Sequence, residues 1–303
     1  MCKSAIKASK INESPWTILK LIEWTTSYFD SHKIEGARAS AEILLANALG
    51  LKRIDLYLRY DQPLSRQELS IFKTLIKRRI KREPVAYIIG NKEFWSMDLD
   101  VTKDVLIPRP DTESLVEQAL TYVPGKNSNT IWKILDLGTG SGAIILSMAA
   151  QRPQHRYFAS DRSEKALGIA VGNAKKHYLS DTILFFAGDW FNPIKNNIHD
   201  FDMILSNPPY IPNQAIAELE PEIALYEPRI ALDGGKDGLD CLRLIINQAP
   251  SFLKPAGFLI LELGYDQKQK VSEIVNNCSK YDSIRIVKDY GGHDRVAIMK
   301  TIN

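Results

Sequence analysis

From Ile131 onward, short apolar runs alternate with segments of helical spacing, and this alternation limits the possible folds more than any other feature of the chain. Strands are read at 131–136, 157–161, 183–186, 201–205, 258–263, 283–287 and 295–299, with helices at 143–150, 164–178, 239–253 and 267–277. Apolar strands separated by helices imply a mainly parallel sheet covered on both faces, a doubly wound α/β architecture. Tyr290-Gly291-Gly292 between the last two strands reads as a hairpin turn, so one antiparallel pair is expected.

The first third of the chain carries helix signals instead. Ser14-Pro15 reads as an N-cap and first helical residue, opening a helix toward Asp30. A second helix over 37–48 stops at Gly50. Ser65-Arg66-Gln67-Glu68 is a capping-box pattern ahead of Ile71, Phe72, Leu75, Ile76 and Ile80 at helical spacing. The period then switches to two: Trp95, Met97, Leu99 and Val101 alternate with Ser96, Asp98 and Asp100, one arm of a half-buried hairpin. The expected division is a helical domain over 1–88, a β-hairpin linker over 89–112 and the sheet domain over 113–303.

Charge is divided along the same line. The formal net charge is +3, but residues 1–90 hold 16 Lys and Arg against 9 Asp and Glu, and the remainder holds 23 against 27. Much of the excess lies in the run 77–82, which reads either as a solvated helix face or as a contact for an acidic or nucleic-acid partner. No apolar run approaches the roughly 20 residues that span a bilayer, and the N-terminus has no apolar signal region, so no membrane partner and a cytoplasmic location are expected. Cys2, Cys241 and Cys278 are few and far apart, and the five histidines lack ligand spacing; no metal site is expected. With no large apolar stripe evident, a monomer is expected.

The chemistry-bearing residues fall at the ends of successive strands. Asp136 leads the loop Gly138-Thr139-Gly140-Ser141-Gly142, between the first strand of the sheet and its helix. Glycines there permit a tight turn and close approach of a ligand, and a helix N-terminus offers free N–H groups. The spacing is G-x-G-x-G rather than the dinucleotide G-x-G-x-x-G, and a leading carboxylate would repel pyrophosphate but attract an ammonium or sulfonium. S-adenosyl-L-methionine fits this loop better than NAD. Asp161, 25 residues after Asp136, ends the second strand, where it could accept from ribose hydroxyls or cap the next helix. Asp189 and Trp190 follow the third strand, near the expected adenine, and Trp190 reads equally as ring contact or as core.

The fourth strand ends in Ser206-Asn207-Pro208-Pro209-Tyr210-Ile211. Two prolines donate no N–H and hold the preceding residue extended, which leaves the Asn207 and Pro208 carbonyls and the Asn207 side-chain oxygen as acceptors on a stiff turn. Acceptors beside the Tyr210 ring suit a planar group bearing NH2, a carboxamide or the exocyclic amine of a base. Holding both N–H bonds would aim that nitrogen at an electrophilic methyl and stabilise the positive charge growing on it.

These motifs resemble the amino-methyltransferases, and the flanking segments resemble the release factor glutamine methyltransferases of the HemK/PrmC type. The likeness is carried by Arg82 to Gly90 ("REPVAYIIG"), Glu93-Phe94, "VLIPRPDTE" (105–113), "DLGTGSG" (136–142), "NPPYI" (207–211), "EPRIALDGGKDGLD" (227–240) and "LELGYDQ" (261–267). His293 stands where that family more often has a long basic side chain. The resemblance implies a seven-stranded Rossmann-like methyltransferase sheet with a small N-terminal helical domain and a connecting β-hairpin. It implies methyl transfer from S-adenosyl-L-methionine to the side-chain amide of the glutamine in the Gly-Gly-Gln motif of class-1 peptide chain release factors. By the same likeness 138–142, Asp161 and Trp190 contact the cofactor, Asn207, Pro208, Pro209 and Tyr210 hold the glutamine, and the N-terminal helices help dock the release factor. Arg109 and Glu113 read as structural or substrate-orienting. A nucleic-acid amino-methyltransferase is the alternative, set against an apparent lack of exposed aromatics among the basic helices; a cofactor-binding module without turnover is another. Direct nucleic-acid binding is not expected.

Overall fold

The structure, a computed structural model, describes residues 16–195 and 199–302. The chain divides into two compact units, one ending at Ile89 and the other beginning at Gly90.

The first unit contains α1 (Ile18–Ser31), α2 (Ala37–Leu49), α3 (Arg53–Leu58), α4 (Arg66–Arg79) and α5 (Val85–Ile89). Ser14, Pro15 and Cys2 lie outside the described residues; α1 is capped by Thr17, whose side chain accepts from the Lys20 N–H. The capping box at α4 forms as expected, with Ser65 Oγ accepting from Glu68 N at 3.3 Å and Glu68 Oε2 accepting from Ser65 N at 2.7 Å. Gly50 ends α2 in the left-handed conformation, at φ 64°. Ile18, Phe29, Leu44, Leu45, Leu56 and Phe72 form the core of this unit.

Two expectations change here. Within the basic run, Arg78 donates to Glu83 and to the carbonyls of Tyr87 and Ile88, Arg79 donates to the Glu83 carbonyl, and Arg82 donates to the Lys33 carbonyl. Part of the run therefore caps the unit's own backbone rather than forming a uniform solvated face. Aromatics are also exposed: Trp16 and Trp24 pack edge to face, Trp24 stacks on Tyr28 at 5.0 Å, and Tyr28 meets His32 at 4.4 Å, with Leu19, Tyr57 and Leu58 also exposed. The expected lack of exposed aromatics does not hold for this unit.

The second unit begins with the hairpin β1 (Asn91–Phe94) and β2 (Met97–Asp100). Trp95 lies in its turn and not in a strand. Trp95 and Ser96 both take positive φ, 50° and 59°, as a two-residue hairpin turn requires, and Glu113 Oε1 accepts the Trp95 N–H at 2.9 Å. Then follow α6 (Glu113–Tyr122), β3 (Lys133–Leu137), α7 (Ala143–Gln151), β4 (Arg156–Asp161), α8 (Glu164–Lys176), β5 (Ile183–Ala187), β6 (Phe201–Ser206), α9 (Pro221–Tyr226), α10 (Asp240–Gln248), β7 (Leu253–Glu262), α11 (Lys268–Cys278), β8 (Tyr281–Lys288) and β9 (Asp294–Thr301).

The seven-stranded sheet has the order β5-β4-β3-β6-β7-β9-β8. The first five strands are parallel, and β9 pairs antiparallel with both β7 and β8, as the hairpin signal anticipated. Alternate strand residues feed two apolar clusters, one on each face. Ile134, Met203, Leu205 and Ile260 pack with α6 and α7, whereas Leu135, Ile204, Leu259 and Leu261 pack with α10 and α11. The chain runs outward from β3 through β4 to β5, then returns to β6 on the other side of β3. Loops at the carboxyl ends of β3 and β6 thus diverge at a topological switch point, where such sheets bind ligands.

Phe94 and Leu99 of the hairpin are buried in the same cluster as α6 and α7, so the hairpin belongs structurally to the sheet unit. Asn173 on α8 fixes it there. Its Oδ1 accepts from Asp100 N at 2.7 Å, and its Nδ2 donates to the carbonyls of Asp100 at 3.0 Å and Ser141 at 2.9 Å. Asn173 is wholly buried. One side chain thereby ties the hairpin to the glycine loop. Replacing it with alanine strands three backbone groups, and Asn173→Ala is expected to lower stability by about 2–3 kcal/mol. A denaturant midpoint unchanged from wild type would contradict this.

Candidate active site

A cavity of about 560 Å³ opens at the carboxyl edge of the sheet, within the size range of small-molecule sites. Its wall takes Gly138, Thr139, Gly140 and Ser141 from the loop after β3, Asp161 from the end of β4, Asp189 and Trp190 from beyond β5, and Asn207 and Pro209 from beyond β6. Residues far apart in the chain thus meet because every parallel strand ends on the same edge. Residues 104–106, Pro108, Arg109, Thr112 and 228–231 supply part of the remaining wall.

The glycine loop differs from an anion cradle. Gly138 N and Thr139 N both donate to the Ser160 carbonyl at 2.9 Å, Gly140 N donates to Asp161 Oδ2 at 2.9 Å, and Gly142 N donates to the Thr139 carbonyl at 2.8 Å. Those of Gly138, Thr139 and Gly140 hold the loop against β4 and that of Gly142 closes the loop on itself, so the free N–H groups expected here are confined to the start of α7. Gly138, Gly140 and Gly142 all take positive φ, at 71°, 56° and 86°, which accounts for the spacing of glycines in the loop.

Two carboxyl groups stand behind and beside the loop. Asp136 is wholly buried and does not reach the cavity wall; its Oδ2 accepts from Thr139 Oγ1 at 2.7 Å, and its Oδ1 has no partner. Burial is the main cause that pushes the Asp136 carboxyl up to about 7, with Asp161 adding to it and the Thr139 hydroxyl opposing. Asp161 does line the cavity. Its Oδ2 accepts from Gly140 N and its Oδ1 from Ser163 N at 2.8 Å, so each oxygen retains a lone pair for a further donor. Burial raises its pKa as well. The N-cap of α8 is Ser163, not Asp161. The Asp161 carboxyl on the wall favours a ligand that carries hydroxyl donors or positive charge. Trp190 lines the cavity and also packs on the apolar cluster beneath α10.

The turn after β6 is anchored from below. Ser206 Oγ donates to the Leu137 carbonyl at 2.7 Å, and Gln267 Nε2 donates to the Tyr210 carbonyl at 3.0 Å. Ile211 N donates to the Leu232 carbonyl and Gly234 N to the Ile211 carbonyl. Gly234 and Gly238 let this loop lie close: an added Cβ would come within 2.8 Å of the Tyr210 Cα at Gly234 and 2.3 Å of the Tyr210 carbonyl oxygen at Gly238. Tyr210 itself stands behind the wall and not on it, with its hydroxyl donating to Glu262 Oε1 at 3.2 Å. Asn207 faces the cavity while its Nδ2 donates to Thr112 Oγ1 at 3.1 Å. Thr112 Oγ1 donates in turn to Glu262 Oε2 at 2.6 Å.

Reading the sequence by motif spacing missed Thr112, Glu262 and Glu227. Glu262 carried a usable signal, since a lone acid inside Phe258-Leu259-Ile260-Leu261-Glu262-Leu263 has to be buried and partnered. Arg109 lines the cavity and forms an ion pair with the buried Glu227, whose Oε2 also accepts from Ile107 N at 3.3 Å. Glu113 serves the hairpin turn.

A family model described as the PrmC N-terminal domain matches residues 20–90, and one described as a methyltransferase domain matches residues 129–300. A release factor glutamine methyltransferase of Geobacter sulfurreducens is 43% identical over 281 residues, covering 93% of this chain and 95% of that protein. The chain belongs to the release factor glutamine methyltransferase family. A further family member, from Rhodopirellula baltica, is 37% identical over 294 residues, 97% of this chain and 99% of its own. Among solved structures, a methyltransferase from Pyrococcus furiosus superposes with a TM-score of 0.51 at 19% identity, over 68% of this chain and 90% of that one, and shares the fold. In this family member, four of the segments that carried the resemblance, 105–113, 136–142, 207–211 and 227–240, contribute to the cavity wall.

Two outcomes follow from this geometry. Asp136 keeps, when folded, a proton that the unfolded chain has lost between about pH 4 and 7, so its contribution to stability falls as pH rises through that window. Asp136→Asn is expected to flatten the melting temperature against pH over that range in the ligand-free protein; an unchanged slope would contradict the buried, protonated state. Gly238→Ala combines a φ of 77° with the clash at Tyr210 and is expected to cost about 1–3 kcal/mol. A stability change under about 0.5 kcal/mol, the usual surface range, would show the loops to be less closely packed.

Proposed function

We propose that this chain transfers the methyl group of S-adenosyl-L-methionine to the side-chain amide nitrogen, N5, of the glutamine in the Gly-Gly-Gln motif of class-1 peptide chain release factors. The observation that carries the reading is the placement of Asn207 on one wall with Gly138, Gly140 and Asp161, in a chain 43% identical to a release factor glutamine methyltransferase. When bound, the cofactor supplies a sulfonium-activated methyl electrophile.

The rest of the chemistry belongs to the protein's own residues. Asp161 keeps lone pairs for ribose hydroxyls, and Trp190 and Asp189 border the same part of the cavity. The half-buried carboxyl of Asp161, on the cavity wall, gives this region a potential that favours an ammonium and a sulfonium over phosphate. Asn207 Oδ1 and the Pro208 carbonyl accept the two N–H bonds of the substrate amide, with Pro209 as the adjoining wall. An amide nitrogen is a poor nucleophile because its lone pair is delocalised. Two acceptors oppose that delocalisation by stabilising the positive charge that builds on nitrogen, and they point its free face at the methyl group. The departing proton becomes acidic only as the N–C bond forms, so no strong base has to act beforehand. The enzyme is read as a cytoplasmic monomer that needs neither membrane nor nucleic acid, with the helical unit contributing to release-factor docking.

Incubation with methyl-labelled S-adenosyl-L-methionine, a class-1 release factor, and bulk RNA and DNA tests the reading. Label is expected in the release factor, and label confined to nucleic acid would overturn it. Asn207→Ala is expected to abolish turnover while leaving cofactor Kd within a few-fold, a change on the order of 1 kcal/mol or less. Asp161→Ala is expected to weaken cofactor binding at least about tenfold, or ~1.4 kcal/mol. Normal cofactor binding by the latter variant would remove the ribose role.

A further inference from the structure

The cavity wall leaves one question open: what decides which end of the Asn207 carboxamide meets the substrate. An amide end-for-end flip changes its shape little but exchanges an acceptor for two donors. Only the acceptor can take an N–H from a substrate amide. The sole side-chain partner of Asn207 among the described residues is Thr112 Oγ1, a hydroxyl with one proton to give and two lone pairs to receive. The direction of that proton therefore fixes the amide.

We propose that Glu262 and Thr112 are positioning residues: ionised Glu262 draws the Thr112 proton to itself, so that Thr112 can only accept from Asn207 Nδ2 and Asn207 Oδ1 is left facing the cavity. This rests on the substrate reading given above. The hydrogen bond from Thr112 Oγ1 to Glu262 Oε2 is 2.6 Å, in the range of a charge-assisted contact, and Tyr210 occupies the other carboxylate oxygen at 3.2 Å. Both Thr112 and Glu262 are buried, so no solvent replaces either partner. Loss of charge on Glu262 reverses the chain of donors. A carboxylic acid donates to Thr112, Thr112 then donates to Asn207 Oδ1, and Nδ2 turns to the substrate, where it repels an N–H.

The groups facing Glu262 frame its titration. Tyr210 lies on the turn after β6, Arg295 on β9, and Asp111 precedes Thr112. Arg295 is buried and held by Asp289 Oδ2 at 3.0 Å and Asp111 Oδ2 at 3.2 Å, so its charge is shared with two acids and only partly supports Glu262. Burial dominates and lifts the Glu262 carboxyl to about 7, against the opposing pull of Thr112, Arg295 and Tyr210. Methyl transfer then gains with rising pH through neutrality, as Glu262 ionises and the amide settles in its productive orientation.

The test compares Thr112→Val, Thr112→Ser and Glu262→Gln with wild type, using a class-1 release factor and methyl-labelled S-adenosyl-L-methionine, with cofactor Kd and melting temperature measured in parallel. Valine keeps the shape of threonine without the hydroxyl. Glutamine donates from Nε2 and mimics the protonated acid. Thr112→Val and Glu262→Gln are expected to lower kcat at least about tenfold, with cofactor Kd within about twofold, and to lose the rise in kcat across neutral pH. Thr112→Ser, which restores the hydroxyl, is expected to recover kcat to within about threefold and to recover the pH profile. Wild-type kcat in Thr112→Val and Glu262→Gln would overturn the inference. So would parallel losses of kcat, cofactor binding and melting temperature in all three variants, which would mark a packing role. If the wild-type protein labels no release factor at all, the functional reading itself falls, and this inference falls with it.

Discussion

An amide side chain can turn either its oxygen or its nitrogen toward a ligand, and the proposed methyl transfer depends on Asn207 turning its oxygen. The residue is placed by topology: β6 lies beside β3, both are parallel, and the loops at their carboxyl ends share one cavity. Two prolines then stop the ladder and stiffen the exit. Topology supplies the position, while the buried chain from Asn207 through Thr112 to Glu262 supplies the polarity. Neither would suffice alone.

The same economy of donors and acceptors governs the glycine loop. A loop between a strand and a helix commonly serves phosphate through its free N–H groups, but here Ser160 and Asp161 occupy those of Gly138, Thr139 and Gly140. With these donors used internally and the Asp161 carboxyl on the wall, the loop is poorly suited to phosphate. Burial raises the pKa of both carboxyls, Asp136 to about 7, while Gly140 N and Ser163 N hold Asp161 and Thr139 Oγ1 holds Asp136.

Much of this was legible in the chain. Strand and helix order, the antiparallel edge and the cavity loops followed from period and punctuation, because strands buried on both faces leave continuous apolar runs. Asn207, Asp161 and Trp190 fell at strand ends and met where strand ends meet. What escaped was whatever depends on contacts between distant segments. Thr112 and Glu262 are 150 positions apart, and no local pattern announces that one hydroxyl will join them. Trp95 was assigned to a strand because its side chain fits the alternation, yet backbone twist places it in the turn. The exposed Trp24 on α1 was overlooked for a related reason: it stacks on the half-buried Tyr28 one turn away, and the sequence alone does not show where the edge of the core face formed by Ile18, Leu21 and Phe29 falls.

The most direct measurement is a crystal structure of the enzyme with S-adenosylhomocysteine and a peptide containing Gly-Gly-Gln. The glutamine amide nitrogen is expected to lie within about 3.2 Å of both Asn207 Oδ1 and the Pro208 carbonyl oxygen, with Asn207 Nδ2 still on Thr112. A glutamine bound elsewhere in the cavity, or one whose carbonyl oxygen rather than nitrogen meets Asn207, would contradict it.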